Sequence, residues 1–154
     1  MKNILFICTG NTCRSVLAEQ LLKKLAAERG LPLEAKSCGV AAERHFEVPP
    51  EVHSVLAAQG ITTLSHVPQL VSRELLRRAD ATYAMTRAHR QAVVDRYPEF
   101  GSKVFVLRLE AGLAEADVAD PIGRPEAVYR SCFNKIREAL EVILSHENAQ
   151  SPRP

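Results

Sequence analysis

The chain has 154 residues, a length that fits one domain with a buried core. Its 46% apolar and 25% charged residues are typical of a globular protein, and a formal charge of +2 is too small to favour nucleic acid or a membrane surface as a partner. Because no apolar run approaches the roughly 20 residues of a membrane span and the N-terminus does not resemble a signal peptide, a cytoplasmic protein is expected.

Four short apolar runs predict β-strands. They cover residues 2–7, 33–38, 81–85 and 103–109. Segments with helical periodicity lie between them, and strands that alternate with helices predict a parallel sheet covered on both faces. In such α/β folds ligands bind beyond the carboxyl ends of the strands. The first predicted strand ends directly before Cys8, so this residue is expected at a binding site.

Five helices are predicted along the chain. The first begins at Arg14, has a leucine at every fourth position and should end at Gly30. Others are expected from residue 49 to 60, after residue 72, and from residue 86 to 97. The last helix carries one apolar face, made by Tyr129, Phe133, Ile136, Leu140 and Ile143. We expect a single domain at residues 1–147 and a frayed polar tail at residues 148–154.

The segment between the first strand and the first helix contains the residues with chemistry. It reads Cys8-Thr9-Gly10-Asn11-Thr12-Cys13-Arg14-Ser15. Successive backbone N–H groups and the positive end of a helix can hold a phosphate dianion, and Arg14 can add a two-pronged hydrogen bond. The same positive field favours a nucleophilic thiolate at Cys8. Gly10 is expected to let the loop turn, Asn11 to accept a left-handed backbone, and Ser15 to donate to the sulfur.

This loop resembles the signature loop of the low-molecular-weight protein tyrosine phosphatases. Further matches are Ala18-Glu19, Ser37-Cys38-Gly39-Val40, Ser65-His66, Ala84-Met85-Thr86 and Asp120-Pro121. The resemblance implies a doubly wound four-stranded parallel sheet with helices on both faces, a phosphocysteine intermediate, a phosphorylated protein as substrate, and no metal or other cofactor. It also implies that the loop side of the site, Thr9, Gly10, Asn11, Thr12, Cys13, Arg14 and Ser15, binds the phosphate.

Asp120 is the candidate for proton transfer. The leaving group needs a proton and the second step needs an activated water, and one carboxyl group can serve both steps. Asp120 precedes Pro121 in a predicted loop before the last helix, and it matches the general acid of the family. Asp117 is a nearby alternative, but no proline follows it and it does not match the motif.

The resemblance also suggests supporting roles. Cys13 matches the family cysteine that traps an oxidised nucleophile as a disulfide, and the alternative is that it supplies only its backbone amide. His66 matches a histidine that braces the loop asparagine, and the alternative is a surface histidine. Cys38 and Cys132 are expected to be small core residues.

The phosphorylated side chain of the substrate is left open between two amino acids. Tyrosine-specific members carry an isoleucine-like residue at the position of Thr12, whereas the bacterial protein-arginine phosphatases carry threonine. Ile122 stands where tyrosine phosphatases have an aromatic residue that walls the substrate ring, and Phe46 is a second candidate for a wall. These positions give phosphoarginine a slight preference over phosphotyrosine.

Two other functions are considered. Thioredoxin-coupled arsenate reductases have similar loops but need two further cysteines in the middle of the chain, and residues 39–131 contain none. A phosphate-binding or redox-sensing module would keep the loop, yet it has no need of an acid such as Asp120. The oligomeric state does not follow from the sequence.

Overall fold

A computed structural model describes residues 2–150 of the chain. Four parallel strands form its sheet in the order β2-β1-β3-β4. The strands are β1 (Lys2–Cys8), β2 (Leu33–Gly39), β3 (Ala81–Ala84) and β4 (Val104–Val106). The chain moves to one side from β1 to β2 and then crosses to the other side of β1 for β3 and β4. This order confirms the doubly wound four-stranded sheet, and its switch point lies at the carboxyl end of β1.

Residues 2–150 also form six α-helices and one 3-10 helix, which lie between the strands and after the last of them. They are α1 (Arg14–Arg29), α2 (Pro50–Ala58), α3 (Arg73–Arg78), α4 (Arg87–Arg96), the 3-10 helix Pro98–Lys103, α5 (Leu107–Glu110) and α6 (Glu126–Gln150). Gly30 ends α1 with a φ of 62°, as the sequence predicts. Of the helices in residues 2–150, none is long and apolar enough to cross a membrane.

The core has two parts because helices cover both faces of the sheet. Ile4 and Phe6 of β1 pack with α1, α2 and α6, whereas Leu5 and Ile7 pack with α3 and α4. Successive strand residues point to opposite faces, so a strand buried on both sides is apolar throughout. The predicted apolar face of α6 is confirmed, since all five of its residues are buried.

The predicted end of the fourth strand is wrong. The fourth strand was expected to run to residue 109, but it ends at Val106, and a helical turn begins at Leu107. This turn buries Leu107 completely, and it brings the Arg108 guanidinium to the backbone carbonyls of Glu115 and Lys135. The last helix continues to residue 150 and so includes the first three residues of the tail expected at 148–154, while residues 151–154 lie outside the described residues.

Candidate active site

The loop of residues 8–15 lies at the carboxyl end of β1 and leads directly into α1. Cys13 precedes α1 and makes no side-chain hydrogen bond to its first turn, whereas Ser72 and Thr86 cap α3 and α4 in this way. The first N–H groups of α1 are therefore not engaged by a capping side chain. A helix N-terminus of this kind is suited to binding an anion.

Cys8 is buried against Ser15. Its Sγ lies 2.9 Å from Ser15 Oγ. Ser15 Oγ also accepts a hydrogen bond of 2.9 Å from the side-chain amide of Asn11. Because that amide can only donate, the hydroxyl proton of Ser15 remains available for the sulfur.

Asn11 holds the loop in its shape. It has a φ of 57°, and within residues 2–150 no other non-glycine residue has a positive φ. Its amide nitrogen donates to Ser37 Oγ at 2.9 Å, and its Oδ1 accepts from the Gln69 backbone at 3.0 Å. His66 Nε2 donates to the Asn11 carbonyl at 2.8 Å. These bonds, together with the bond to Ser15, offset the cost of a left-handed backbone.

The glycine that cannot be replaced without a steric clash is Gly39 on the neighbouring strand, and not Gly10 in the loop. Gly10 has no positive φ, and a Cβ added to it would meet the Phe46 ring at an ordinary 3.6 Å. The bend of the loop at residue 10 therefore does not require a glycine. A Cβ at Gly39, at the end of β2, would lie 2.3 Å from the Thr9 carbonyl oxygen and 2.9 Å from the Asn11 nitrogen. Gly39 lets β2 approach the loop closely.

The hydrogen-bond network continues beneath the loop into α1. Ser37 donates to a Glu19 carboxylate oxygen at 2.5 Å, and Lys23 pairs with the other oxygen at 2.7 Å. Glu19 is 8% exposed and Ser37 1% exposed, so this network belongs to the interior. Both residues lie in segments that resemble the family, but the sequence analysis assigned them no role.

Arg14 connects the loop with the segment that carries Asp120. Its Nη1 donates to the Val118 carbonyl at 2.8 Å, and its Nη2 lies 3.8 Å from Asp120 Oδ2. The Val118 N–H in turn donates to the carbonyl of Met85, just after β3. The guanidinium is thus held in a buried position with one edge toward the Asp120 carboxylate.

The structure distinguishes between the two candidate acids. Asp120 lines the same cleft as Cys8 and accepts a hydrogen bond of 3.1 Å from the Ile122 N–H. Asp117 instead accepts from the Arg87 N–H at 2.9 Å and lies 3.6 Å from the Arg87 Nε, at the start of α4. Position therefore favours Asp120 for proton transfer.

The cleft has a volume of about 440 Å³ and contains both predicted wall residues. Its base is made by loop residues 8–10 and 12–14. We call Phe46, Glu47 and Ile122 the rim of the cleft; Ile122 is 58% exposed. The Phe46 ring stands edge-on to His45, with their centroids 5.0 Å apart. Thr12 lies at the base and is only 7% exposed.

Cys13 has a thiol partner that the sequence analysis did not foresee. Its side chain forms a hydrogen bond with Cys132 of α6, and this bond, together with burial, raises the pKa of Cys13 above its ordinary value. Burial also raises the pKa of Cys38, which lies in the core as expected. Cys132 is buried too, but it additionally contacts the loop.

His89 is a further residue that the sequence analysis missed. It is the third residue of α4 and 6% exposed, and its Nε2 lies 2.8 Å from Thr9 Oγ1. One signal could have identified it, since a histidine in the first turn of a helix that follows the carboxyl end of a central strand lies near the ligand-binding edge.

In an α/β fold, a thiol and a guanidinium gathered by one strand-to-helix loop are suited to accepting a phosphoryl group on sulfur. The fold and the loop therefore place the chain among the cysteine-dependent phosphatases.

The comparison with known proteins gives the family. The sequence profile described as low molecular weight phosphotyrosine protein phosphatase matches residues 3–151, and the chain belongs to this family of protein phosphatases. A protein-arginine-phosphatase of Geobacillus stearothermophilus is 38% identical over 142 residues, which are 92% of this chain and 90% of that protein. The probable low molecular weight protein-tyrosine-phosphatase EpsP of Ralstonia nicotianae is 32% identical over 154 residues, 99% of this chain and 96% of that protein.

A solved structure extends the likeness to three dimensions. A cysteine-to-serine mutant of the YwlE arginine phosphatase, with a phosphorylated active-site serine, superposes with a TM-score of 0.91 and 32% identity, over 96% of this chain and 97% of that one. The hydrolysis of phosphorylated protein side chains through a phosphocysteine is consistent with this relative, and arsenate reduction is not favoured.

Proposed function

We propose that the protein removes phosphate from phosphoarginine side chains of proteins, with Cys8 as nucleophile, Arg14 as phosphate ligand and Asp120 as acid and base. The observation that carries this proposal is that all three side chains line one cleft above an anion-binding loop. The protein-arginine-phosphatase among the relatives supports phosphoarginine as the substrate. Because another relative is a probable protein-tyrosine-phosphatase, the preference for phosphoarginine over phosphotyrosine has to be tested.

In the first step the Cys8 thiolate attacks phosphorus, so that an S–P bond forms while the bond from phosphorus to the leaving nitrogen breaks. Asp120 gives its proton to that nitrogen, so the arginine side chain leaves as a guanidinium ion and not as the strongly basic neutral guanidine. Arg14 and the N–H groups at the start of α1 hold the equatorial oxygens, whose charge changes in the transition state.

In the second step water attacks the phosphocysteine. Asp120, now a carboxylate, accepts a proton from the water, and the S–P bond breaks to release phosphate. The leaving thiolate receives the hydrogen bond of Ser15, which lies 2.9 Å from the sulfur. Asn11 and His66 support this step indirectly, because they fix the loop that orients Ser15.

Charge and shape of the cleft favour phosphoarginine over phosphotyrosine. A phosphorylated guanidinium keeps a positive charge that a phenol lacks, and the Glu47 carboxylate lines the cleft beside Asp120, which carries its proton until the first step. Ile122 offers no aromatic face for a phenol ring, which leaves Phe46 as the aromatic wall. Thr12 at the base places a hydroxyl where tyrosine-specific members have a hydrocarbon side chain.

Turnover of matched phosphoarginine and phosphotyrosine peptides tests the proposed substrate. We expect the wild type to prefer phosphoarginine, and Thr12→Ile to raise the ratio of phosphotyrosine to phosphoarginine turnover by about 10- to 200-fold, the range of one specificity contact. Thr12→Ser, which keeps the hydroxyl, is the matched control. A wild type that prefers phosphotyrosine, or a ratio unchanged in Thr12→Ile, contradicts the phosphoarginine assignment.

Under this proposal Cys13 also protects the nucleophile. Hydrogen peroxide oxidises Cys8 to a sulfenic acid with release of water, and the Cys13 thiol then displaces a second water to form a disulfide. Inactivation should be reversed by a thiol reductant in wild type but not in Cys13→Ala. Recovery that is equal in both proteins would leave Cys13 with its backbone role.

The cytoplasmic location of the protein remains a prediction.

A further inference from the structure

Two nitrogen atoms of one buried histidine have different surroundings. His89 Nε2 is 2.8 Å from Thr9 Oγ1, whereas its Nδ1 is buried and has no hydrogen-bond partner among the residues that the structure describes. A buried N–H without an acceptor is rarer in proteins than an acceptor without a donor. The proton of a neutral His89 is therefore placed on Nε2, and Nε2–H donates to Thr9.

The second neighbour of the same hydroxyl is the phosphate-binding arginine. Arg14 Nη2 donates to Thr9 Oγ1 at 3.4 Å. A hydroxyl has two acceptor positions and one proton. When His89 and Arg14 occupy both acceptor positions, the proton of Thr9 has to go to a third group. Thr9 lines the cleft, so this proton is available to an oxygen atom bound there.

Several neighbours keep the imidazole neutral. Burial lowers the pKa of His89 to about 4, and the charge of Arg14 acts in the same direction, against opposite effects of Asp117 and Asp120. The start of α4 adds positive partial charge around the ring. An imidazolium would also bury a second N–H at Nδ1. Near neutral pH, His89 is thus neutral, and its Nε2–H donates to Thr9 Oγ1.

From this geometry we propose that His89 is a positioning residue of the phosphatase reaction. It makes Thr9 a double acceptor, so that the hydroxyl steadies the Arg14 guanidinium and donates its own proton to a phosphoryl oxygen. Both effects concern a transferring phosphoryl group whose charge changes, and they act on the chemical step more than on binding. The inference rests on the phosphatase activity and not on the choice between arginine and tyrosine.

The protonation of the ring can be measured directly in the wild-type chain. Imidazole ¹⁵N chemical shifts at pH 7 should show His89 with a protonated Nε2 and an unprotonated Nδ1. The opposite tautomer, or an imidazolium, overturns the proposal. This measurement needs no variant, so it stands even if substitutions at this buried position impair folding.

Kinetics with an aryl phosphate test the positioning role. His89→Leu should lower kcat by about 10-fold with a smaller change in KM, since one neutral hydrogen bond has been lost near the transition state. His89→Gln, whose amide can reach the place of Nε2, should recover most of kcat, and His89→Asn, which is shorter, should not. Equal rates for Gln and Asn would assign the effect to packing.

A double-mutant cycle shows whether His89 acts through the hydroxyl. Thr9→Val should reduce kcat to a similar degree, Thr9→Ser should not, and His89→Leu should add little in the Thr9→Val background. If the effects of His89→Leu and Thr9→Val on kcat are fully additive, His89 does not act through the Thr9 hydroxyl, and the proposal is contradicted. If the wild type hydrolyses neither the aryl phosphate nor a phosphoarginine peptide, the proposed function fails; if it hydrolyses one of them and the His89 variants match it, only this inference fails.

Discussion

In the loop of residues 8–15 the side chains of Asn11 and Ser15 are buried and hydrogen-bonded to each other, whereas Ile122 at the rim of the cleft is open to solvent. Asn11 and Ser15 are fully buried, and Ile122 is 58% exposed. Buried polar groups need partners, so each change in the loop affects its neighbours. An exposed side chain can change with little cost to the fold. Cys8 and the loop that would hold the phosphate are thus part of the interior, whereas Glu47 and Ile122, two of the residues proposed to affect the choice of substrate, lie at the surface.

The largest effect is expected at the nucleophile. Cys8→Ser should reduce turnover by about 10⁴-fold or more, because a serine hydroxyl remains protonated where a thiol ionises. The affinity for phosphate or vanadate should stay close to that of wild type, since Arg14 and the loop amides are retained. Steady-state kinetics measures the turnover, and titration calorimetry with phosphate or vanadate measures the affinity of the inactive variant. Multiple turnover by the serine protein would remove Cys8 from its role.

The next effect separates the two candidate acids. Asp120→Asn should lower kcat by about 10²- to 10⁴-fold for substrates with basic leaving groups, and less for activated aryl phosphates. Asp117→Asn is the matched control; it keeps an oxygen for the Arg87 N–H, and kcat should change by less than about fivefold. The assignment would be reversed if Asp117→Asn had the larger effect.

A pair of glycines tests the claim that the loop is constrained from the neighbouring strand. Gly39→Ala should lower the free energy of unfolding by about 1–3 kcal/mol, because its Cβ overlaps with the Thr9 carbonyl. Gly10→Ala should change it by no more than about 0.5 kcal/mol, since its Cβ has room beside Phe46. Urea unfolding of both variants gives the comparison. Equal losses would mean that the loop itself needs glycine.

The smallest effect is expected at the rim. Glu47→Gln should reduce the turnover of phosphoarginine relative to phosphotyrosine by about two- to fivefold, because an exposed carboxylate attracts the guanidinium weakly. Glu43→Gln is the control, since Glu43 lies near His45 and not in the cleft. The effect should shrink at high salt. A change of equal size in Glu43→Gln would exclude a specific contact with Glu47.

Local patterns accounted for most of the secondary structure and for the central loop. The four strands and the helix after Cys8 follow from apolar periodicity, and the loop follows from eight consecutive residues. A site made by one strand, one turn and one helix is encoded locally. The fourth strand was predicted too long because Leu107 is as apolar as a strand residue. In the structure Leu107 begins a helical turn and packs into the core that α6 covers.

By itself, the sequence determined an α/β phosphatase of this family, and it predicted Cys8 as the nucleophile, Arg14 as the phosphate ligand and Asp120 or Asp117 as the acid. The tertiary structure decided the rest: that Asp120 and not Asp117 faces Cys8, that Cys13 meets Cys132, and that His89 reaches Thr9. The physical reason is distance along the chain. Arg14 and its partner Val118 are 104 positions apart, and such contacts exist only once the sheet has brought the carboxyl ends of its strands together.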